Sequence, residues 1–220
     1  MTEADISAVR NAVFEAIGVS VRARMDNSQP RRSMLLWFEN YSRQGGVLFS
    51  IRPTGLIRQI VSMSFGVYSQ ECVEHINTNA SDEQYATARA LLKNLTEKYK
   101  TTLGKNENIE DWKVSLDSRI DIEVKDADDQ NDEEYINSSV IKVMVSLVAI
   151  AAELIGYTKE GSDSEAEVVG LEEGGVFLAT VRRRERNPRN RILSLAIHGE
   201  RCGICGMDPK LKYGEDFGRI

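Results

Sequence analysis

Cysteine is scarce in this chain, and its N-terminus lacks an apolar segment. Three cysteines at uneven spacing are too few for a disulfide framework, which fits a reducing cytoplasm. The first 18 residues are charged and amphipathic, unlike a signal peptide. The apolar stretch within 135–157 is interrupted by polar residues, which favours a buried core helix over a membrane span. We therefore expect a cytoplasmic protein with no membrane partner.

Charge is abundant in this chain and unevenly placed. The 220 residues carry a net charge of −6, with 41% apolar residues, enough for one sizeable core. Residues 181–220 hold ten Lys/Arg against five Asp/Glu, and residues 1–60 hold eight against five. The total then leaves −14 for residues 61–180. Two basic surfaces on an acidic body favour a polyanionic partner, although an uneven scatter of solvated charge explains the numbers equally well.

Apolar periodicity predicts helices and strands along the first 157 residues. Gly18 is a plausible C-cap for the first helix. Ser81, followed three residues later by Gln84, predicts the N-terminus of a long helix. The predicted elements are a helix at 4–17, helical residues from 69 to about 103, a buried helix at 135–157, and strands at 19–25, 47–52, 56–65 and 112–124, while 33–41 fits either state.

These elements predict an α+β protein with mixed helices and a mostly antiparallel sheet in an N-terminal domain at 1–157. Residues 158–175 are rich in glycine, serine and acidic side chains and predict an acidic flexible linker. Residues 176–220 contain one further strand candidate, an arginine-rich lead-in and a cysteine pair. This third segment is predicted to begin a separate small domain.

The arginine-rich lead-in is a candidate phosphate-binding segment, because each guanidinium offers a planar, bidentate fork. Asn187-Pro188 predicts a helix start within it, and Gly199 predicts the helix end. The alternative is a solvent-exposed linker that is rich in arginine and binds nothing. The candidate nucleic-acid-binding residues here are Arg182, Arg183, Arg184, Arg186 and Arg189.

The sequence Cys202-Gly-Ile-Cys205, followed by Gly206, has the spacing of a zinc knuckle. Two thiolates are half of a tetrahedral zinc site, and the chain offers no second pair at this spacing. A redox dithiol typically follows a strand, whereas this pair follows a predicted helix. Half of a structural zinc site is the favoured interpretation, with a redox dithiol or two inert thiols as alternatives.

Residues 182–220 resemble the opening half of an HNH nuclease domain, the ββα-metal fold, of bacterial restriction endonucleases. The resemblance covers under a fifth of the chain. Met207-Asp208-Pro209 departs from it, because members often carry aromatic residues after the knuckle glycine. The matching features, in the family's order and spacing, are the arginine-rich lead-in, His198-Gly199, the Cys202/Cys205 pair, Gly206 and Tyr213-Gly214-Glu215.

The resemblance implies a metal-dependent DNA endonuclease whose catalytic histidines and divalent-cation ligands would follow Ile220. None of the matched residues is catalytic in that family, so we expect a truncated chain that binds double-stranded DNA and does not cut it. In many members a second Cys-x-x-Cys completes the zinc site. Many restriction enzymes dimerise to cut both strands, which makes a homodimer a candidate assembly. The alternative is a non-enzymatic module, ending in a zinc knuckle, that binds DNA or a protein.

Four arginines of the first domain predict a surface that grips the DNA backbone. Arg22 and Arg24 share one face of a predicted strand, and Arg52 and Arg58 flank the Pro53-Thr54-Gly55 turn. Aromatic residues among them are candidates for stacking on an extruded base, although aromatics in a small sheet usually belong to the core. These aromatic residues are Trp37, Phe38, Tyr41 and Phe49.

Two weaker patterns have common structural explanations. His75 with Glu71 and Glu74 fits a metal cluster on a helix, but a solvated helix face explains it better. The second pattern resembles the PD-(D/E)xK nuclease strand and would make this chain a stand-alone nuclease, although such spacing is common in charged strands. It comprises Asp117, Asp121, Glu123 and Lys125.

Overall fold

A computed structural model describes most of the first 156 residues and short parts of the remainder. The described residues are 2–27, 32–54, 58–104, 108–125, 138–156, 166–172, 175–181, 194–195, 198–199, 201–202, 205–208 and 211–212. Their elements, in chain order, are α1 (Glu3–Ile17), β1 (Val21–Asp26), β2 (Ser33–Phe38), β3 (Val47–Pro53), β4 (Arg58–Phe65), α2 (Gln70–Asn79), α3 (Asp82–Lys98), β5 (Lys100–Leu103), β6 (Arg119–Lys125), α4 (Ser138–Ile155), β7 (Ala166–Glu172) and β8 (Gly175–Val181).

Strands β1 to β6 form one six-stranded sheet in the order β1-β2-β3-β4-β6-β5. Every neighbouring pair in it is antiparallel. The helices with this sheet confirm the predicted α+β fold. The segment at 33–41, which the sequence left open between helix and strand, contributes β2, a central strand of that sheet.

Local capping signals explain where two helices begin and end. Ser81 Oγ accepts a hydrogen bond from the Gln84 amide at 3.2 Å, and the Gln84 side chain accepts one from the Ser81 amide at 2.9 Å. Thr2 and Asp5 form the same reciprocal pair at the start of α1. Gly18 ends α1 in the left-handed conformation, with φ of 73°. Both the predicted N-cap at Ser81 and the predicted C-cap at Gly18 are confirmed.

The helices pack on one face of the sheet, and α4 is the central one. It contacts α1, α2 and α3 as well as β3, β4 and β6. Its apolar residues from Val140 to Leu154 join the main core, as predicted for a buried helix. By length and composition α4 is also apolar enough to cross a membrane, with a mean hydropathy of 2.0. Its packing against the sheet makes it a core helix in this fold.

The predicted strand at 112–124 was wrong in its first half. β6 begins only at Arg119. Trp112 and Val114 are buried, but Leu116 is 51% exposed within a turn. In that turn the Ser118 amide donates to Ser115 O at 3.1 Å. The buried Trp112 and Val114 alternate with exposed residues, so this irregular segment has the same apolar pattern as a strand.

Two other boundaries also differ from the prediction. The helix expected to reach about residue 103 ends at Lys98, and Lys100–Leu103 pairs with β6 as an edge strand. Thr101 and Thr102 are β-branched and suit a strand. The expected linker at 158–175 contains β7, which pairs with β8. Glycine and acidic residues dominated the composition of that segment and hid the apolar Val168-Val169-Gly170-Leu171 run within it.

Candidate nucleic-acid interface

The six-stranded sheet has a second surface that faces away from the helices. Successive side chains of a strand point to opposite sides, so only alternate residues enter the helix-covered core. We call the other surface the open face. It consists of Arg22, Arg24 and Asp26 on β1, Ser33, Leu35 and Trp37 on β2, Leu48, Ser50 and Arg52 on β3, Arg58, Ile60, Ser62 and Ser64 on β4, Lys100 and Thr102 on β5, and Arg119, Asp121, Glu123 and Lys125 on β6.

All four arginines predicted to grip DNA in the first domain lie on the open face. Strand pairing rather than sequence proximity brings them together. Two of them lie on the edge strand β1, and the other two lie at the same end of the β3–β4 pair, Arg52 near the end of β3 and Arg58 at the start of β4. Their cross-strand neighbours are Trp37 for Arg22, Leu35 for Arg24, Ile60 for Arg52 and Lys125 for Arg58.

The two carboxylates on the β6 side of the open face are held in ion pairs. Glu123 accepts hydrogen bonds from Arg58 Nη1 at 2.9 Å and from Lys100 Nζ at 3.0 Å. Asp121 accepts one from Arg119 Nε at 2.8 Å and one from Ser62 Oγ at 2.5 Å. These cross-strand contacts tie β4 and β5 to β6. The carboxylates are therefore engaged by the sheet's own cations.

The pKa values of both carboxyl groups reflect these partners. Burial alone would raise the pKa of Asp121, but hydrogen bonds from Arg119 and Ser62, with the charges of Arg119 and Arg52, bring it below its ordinary value. The Lys100 hydrogen bond is the main reason that the pKa of Glu123 is also lowered, with Arg58 as a further cause. Both groups are therefore ionised at neutral pH.

The β1–β3 side keeps uncompensated positive charge. Arg22 Nε lies 3.7 Å from Glu39 Oε1, with both side chains more than half exposed, and such pairs contribute little. Within the described part of the chain, Arg24 and Arg52 have no carboxylate at ion-pair distance. With Asp26, the β1–β3 side carries three arginines and one carboxylate, and the β4–β6 side carries four cations and two carboxylates. Both sides of the open face therefore have excess positive charge, which would attract a phosphate backbone.

An apolar strip lies between these charges on β2, β3 and β4. Leu35 is only 9% exposed although it lies on the open face. Trp37, Leu48 and Ile60 are half-buried. A strip that is apolar at its centre and cationic along its edge suits a ligand with flat apolar groups and a charged backbone.

The four aromatic residues considered from the sequence have different surroundings. Phe38 and Phe49 are fully buried and pack edge-to-face, with ring centroids 5.6 Å apart, so the core position that the sequence favoured for them is confirmed and the candidate stacking role does not apply. Tyr41 packs against Cys72, and burial raises the pKa of Tyr41 to about 12. Trp37 is the member of this group that lies on the open face, between Arg22 and Leu48 in the strand register.

His75 has a structural role in this fold. Its Nε2 lies 3.2 Å from Ile155 O at the C-terminal end of α4, and its Nδ1 lies 3.1 Å from Asn79 Nδ2. Both ring nitrogens therefore have protein partners. Glu74 accepts a hydrogen bond from Gln70 at 2.8 Å. Among the described residues no group of three or more His, Cys, Asp or Glu side chains is placed to hold a metal ion.

The nuclease-like residues of β6 share the open face but do not form a metal site in the described structure. Asp121, Glu123 and Lys125 alternate along one side of the strand, as a PD-(D/E)xK arrangement requires. Their carboxylates, however, are bound by arginine and lysine side chains. Asp117 lies in the exposed turn before the strand. The geometry favours a charged binding surface over a catalytic centre at β6.

Two backbone hydrogen bonds join Cys202 to the residues that follow Cys205. The Gly206 amide donates to Cys202 O at 2.8 Å, and the Cys202 amide donates to Met207 O at 2.9 Å. Gly206 has φ of 69°, a conformation that favours glycine. Neither cysteine forms a disulfide within the described part of the chain; Cys202 is half-buried and Cys205 is exposed. Two thiolates at this spacing fit half of a tetrahedral zinc site.

The arginine-rich lead-in cannot be placed relative to the open face. Gly199, described at the end of the short helix, has φ of 76°, and its amide donates to Leu195 O at 3.0 Å, as expected for a helix end. The helix end predicted there is confirmed. Arg182, Arg183, Arg184, Arg186 and Arg189 lie outside the described residues, so their phosphate contacts stay a prediction.

Sequence reasoning missed the apolar strip and the cations of β5 and β6. Arg119 and Lys100 belong to the open face because Ser64 lies opposite Arg119 and Glu123 lies opposite Lys100. The alternation of residues 119–125 was visible in the sequence. The strand order that places β6 between β4 and β5 was not, because it depends on long-range pairing.

Comparisons of the chain with protein-family models, with curated proteins and with solved structures found no match.

Proposed function

We propose that this chain is the DNA-recognition portion of a restriction-type, metal-dependent HNH endonuclease, and that it binds double-stranded DNA through the open face. One observation carries the binding proposal. Arg22, Arg24, Arg52 and Arg58 lie on a single exposed sheet surface with a half-buried tryptophan among them. Phosphate contacts by arginine supply most of the affinity for DNA, and an aromatic ring supplies a platform for a base.

The proposed roles of the arginines follow from their ion pairs. Arg22, Arg24 and Arg52 have guanidinium groups that are not held by strong ion pairs, so they are available to phosphates. Arg58 is engaged with Glu123 and serves mainly to neutralise that carboxylate. Trp37 and the apolar strip would then meet a base rather than the backbone, as in recognition of an extruded nucleotide.

The endonuclease part of the proposal is supported by the C-terminal knuckle and its family resemblance. Cys202 and Cys205 would hold a structural zinc ion together with two ligands that the described residues do not include. The catalytic divalent cation of the intact enzyme would be held by residues outside the matched segment. When bound, that cation would polarise the scissile phosphate. This chain's own contribution is to hold the duplex and to provide the cysteine pair.

The binding proposal is tested by double charge reversal on β1. Arg22→Glu with Arg24→Glu reverses two exposed cations of the open face without touching the core. We expect weaker binding to a mixed-sequence duplex by fluorescence anisotropy. The slope of log Kd against log salt should become shallower by about two units, one per lost phosphate contact.

The matched control reverses Lys93 and Lys98, two exposed cations on α3 at the helix side of the sheet. It changes the net charge by the same amount and should leave both affinity and slope nearly unchanged. Equal effects of the two double variants would mean that net charge, and not the open face, governs binding. Metal-dependent nicking by the intact protein would separate the endonuclease proposal from a non-enzymatic DNA-binding module.

A further inference from the structure

The turn between β4 and α2 exposes two large apolar side chains. Val67 is 83% exposed and Tyr68 is 72% exposed. A single exposed apolar residue is ordinary on a protein surface, but two adjacent ones at a turn form a protruding apolar edge. We call Gly66–Ser69 the apolar tip.

The backbone of the apolar tip is held firmly despite its exposure. The Tyr68 amide donates to Gln44 O at 2.8 Å, and the Gly66 amide donates to Gly46 O at 3.0 Å. Ser69 Oγ donates to Gly66 O at 2.6 Å, which closes the turn. A Cβ on Gly66 would lie 2.3 Å from Gln44 O, so the two loops fit closely only with glycine there. Val67 and Tyr68 are thus presented to solvent on a fixed support.

The apolar tip lies at one end of the open face. Ser64, the last open-face residue of β4, lies opposite Leu48 and Arg119, and Leu48 in turn lies opposite Trp37. Val67 follows Ser64 by three residues, a reach of roughly 10 Å along an extended chain. This distance is less than the width of a DNA duplex. A duplex held on the open face can therefore reach the tip.

We propose that Val67 and Tyr68 form a wedge that inserts between neighbouring base pairs of DNA held on the open face. This inference rests on the proposed DNA-binding function and specifies how the duplex is deformed. Apolar side chains inserted at a base step unstack it and kink the duplex, and phosphate contacts offset the energy of unstacking. Arg22 and Arg119 share the row of Ser64 at the tip end of the open face, and Arg52 lies farther along it, so a duplex that reaches the tip also meets cations, which favours DNA over a protein as the occupant. The aromatic ring of Tyr68 can stack on an exposed base, and Val67 can fill the opened step.

The wedge is tested with two duplexes of the same mixed sequence, one intact and one with a central two-base mismatch. Mismatched bases are already partly unstacked, so a wedge binds there with less deformation of the DNA. We expect the wild-type protein to prefer the mismatched duplex by about tenfold. Tyr68→Ala and Val67→Ser should each lower this ratio, and the double variant should bring it close to one. Phe14→Ala, which removes a 56% exposed aromatic ring from α1, is the matched control and should keep the full ratio.

The outcomes separate this inference from the proposed function. If the wild type binds both duplexes equally and the tip variants change nothing, the wedge is wrong while DNA binding stands. If the wild type binds neither duplex, the proposed function fails and the wedge fails with it. If Tyr68→Ala changes the sedimentation mass and leaves the ratio intact, the tip contacts a second copy of the chain, which overturns the wedge. Thermal unfolding should be nearly unchanged in each variant, because neither side chain is buried.

Discussion

Ser62 and Asp121 lie opposite each other on β4 and β6, and Ser62 Oγ donates a hydrogen bond of 2.5 Å to Asp121 Oδ1. Ser62 is only 2% exposed although it lies on the open face. Arg119 Nε donates to the other carboxylate oxygen at 2.8 Å. The carboxylate is therefore fixed from two sides, and the centre of the open face is ordered before any ligand arrives.

Replacing Ser62 by alanine should destabilise the fold in a pH-dependent way. Loss of a hydrogen bond to a charged, partly buried group lowers the free energy of unfolding by about 2 kcal/mol at pH 7. The pKa of Asp121 lies below its ordinary value in the folded state, so its ionised form stabilises the fold. That contribution is complete above about pH 5 and is lost as the pH falls through the folded-state pKa. Urea unfolding of wild type and Ser62→Ala at several pH values should show a difference that shrinks below about pH 4.

The matched control is Ser50→Ala, which removes a hydroxyl from the neighbouring position across β3 and β4. It should have a smaller effect with no dependence on acidic pH. A constant difference between wild type and Ser62→Ala from neutral to acidic pH would show that Asp121 does not depend on this hydrogen bond.

Replacing Glu123 by glutamine should strengthen DNA binding. The change removes a negative charge from the open face and releases Arg58 and Lys100 from their ion pairs. The affinity for a mixed-sequence duplex should rise several-fold at low salt, and the salt slope should steepen by about one unit. Glu71→Gln on α2 makes the same change in net charge away from the sheet and should have little effect. Loss of metal-dependent cleavage in the Glu123→Gln form of the intact protein would instead favour catalysis at β6.

Much of the fold could be predicted because its signals are local. The Ser81–Gln84 capping pair, the Gly18 helix end and the buried α4 helix depend on neighbouring residues, and all three are confirmed. The boundaries that failed depend on tertiary pairing. Residues 100–103 could continue α3 by their position, but pairing with β6 makes them a strand. The sequence around residues 100–103 gives no sign of this pairing, because β6 lies farther along the chain.

The sequence identified several residues of the candidate site, but it did not predict which of them lie side by side. Arg22 and Arg24 could be assigned to one strand face by alternation alone. Their place beside Trp37 and Leu35 depends on the register of β1 with β2, which no turn motif in the sequence fixes. The burial of Phe49 and the half-exposure of Trp37 likewise follow from which side of the sheet the helices cover. Composition could not distinguish these two aromatics.

The proposed structural zinc site predicts that removing either cysteine of the knuckle removes zinc from the full-length protein. Tetrahedral zinc needs four ligands, and loss of one thiolate weakens the site severely. We expect about one zinc per protein in the wild type and close to none in Cys202→Ser or Cys205→Ser, measured by elemental analysis after dialysis. Cys72→Ala is the control, because Cys72 is buried beside Tyr41 and should not affect zinc content. Full zinc occupancy in both knuckle variants would exclude a structural role for this pair.

Replacing Trp37 by alanine should weaken DNA binding more than any charge-neutral change elsewhere on the open face. Stacking of one base on an aromatic side chain contributes about 1–3 kcal/mol, which corresponds to a loss of affinity of roughly 5-fold to 150-fold. Trp37→Phe keeps a ring at the same position and should retain most of the affinity. The salt slope should be the same in all three proteins, because no phosphate contact changes. Anisotropy titrations at several salt concentrations provide both quantities. Equal losses in the alanine and phenylalanine variants would indicate that the indole supports the sheet and does not stack on a base.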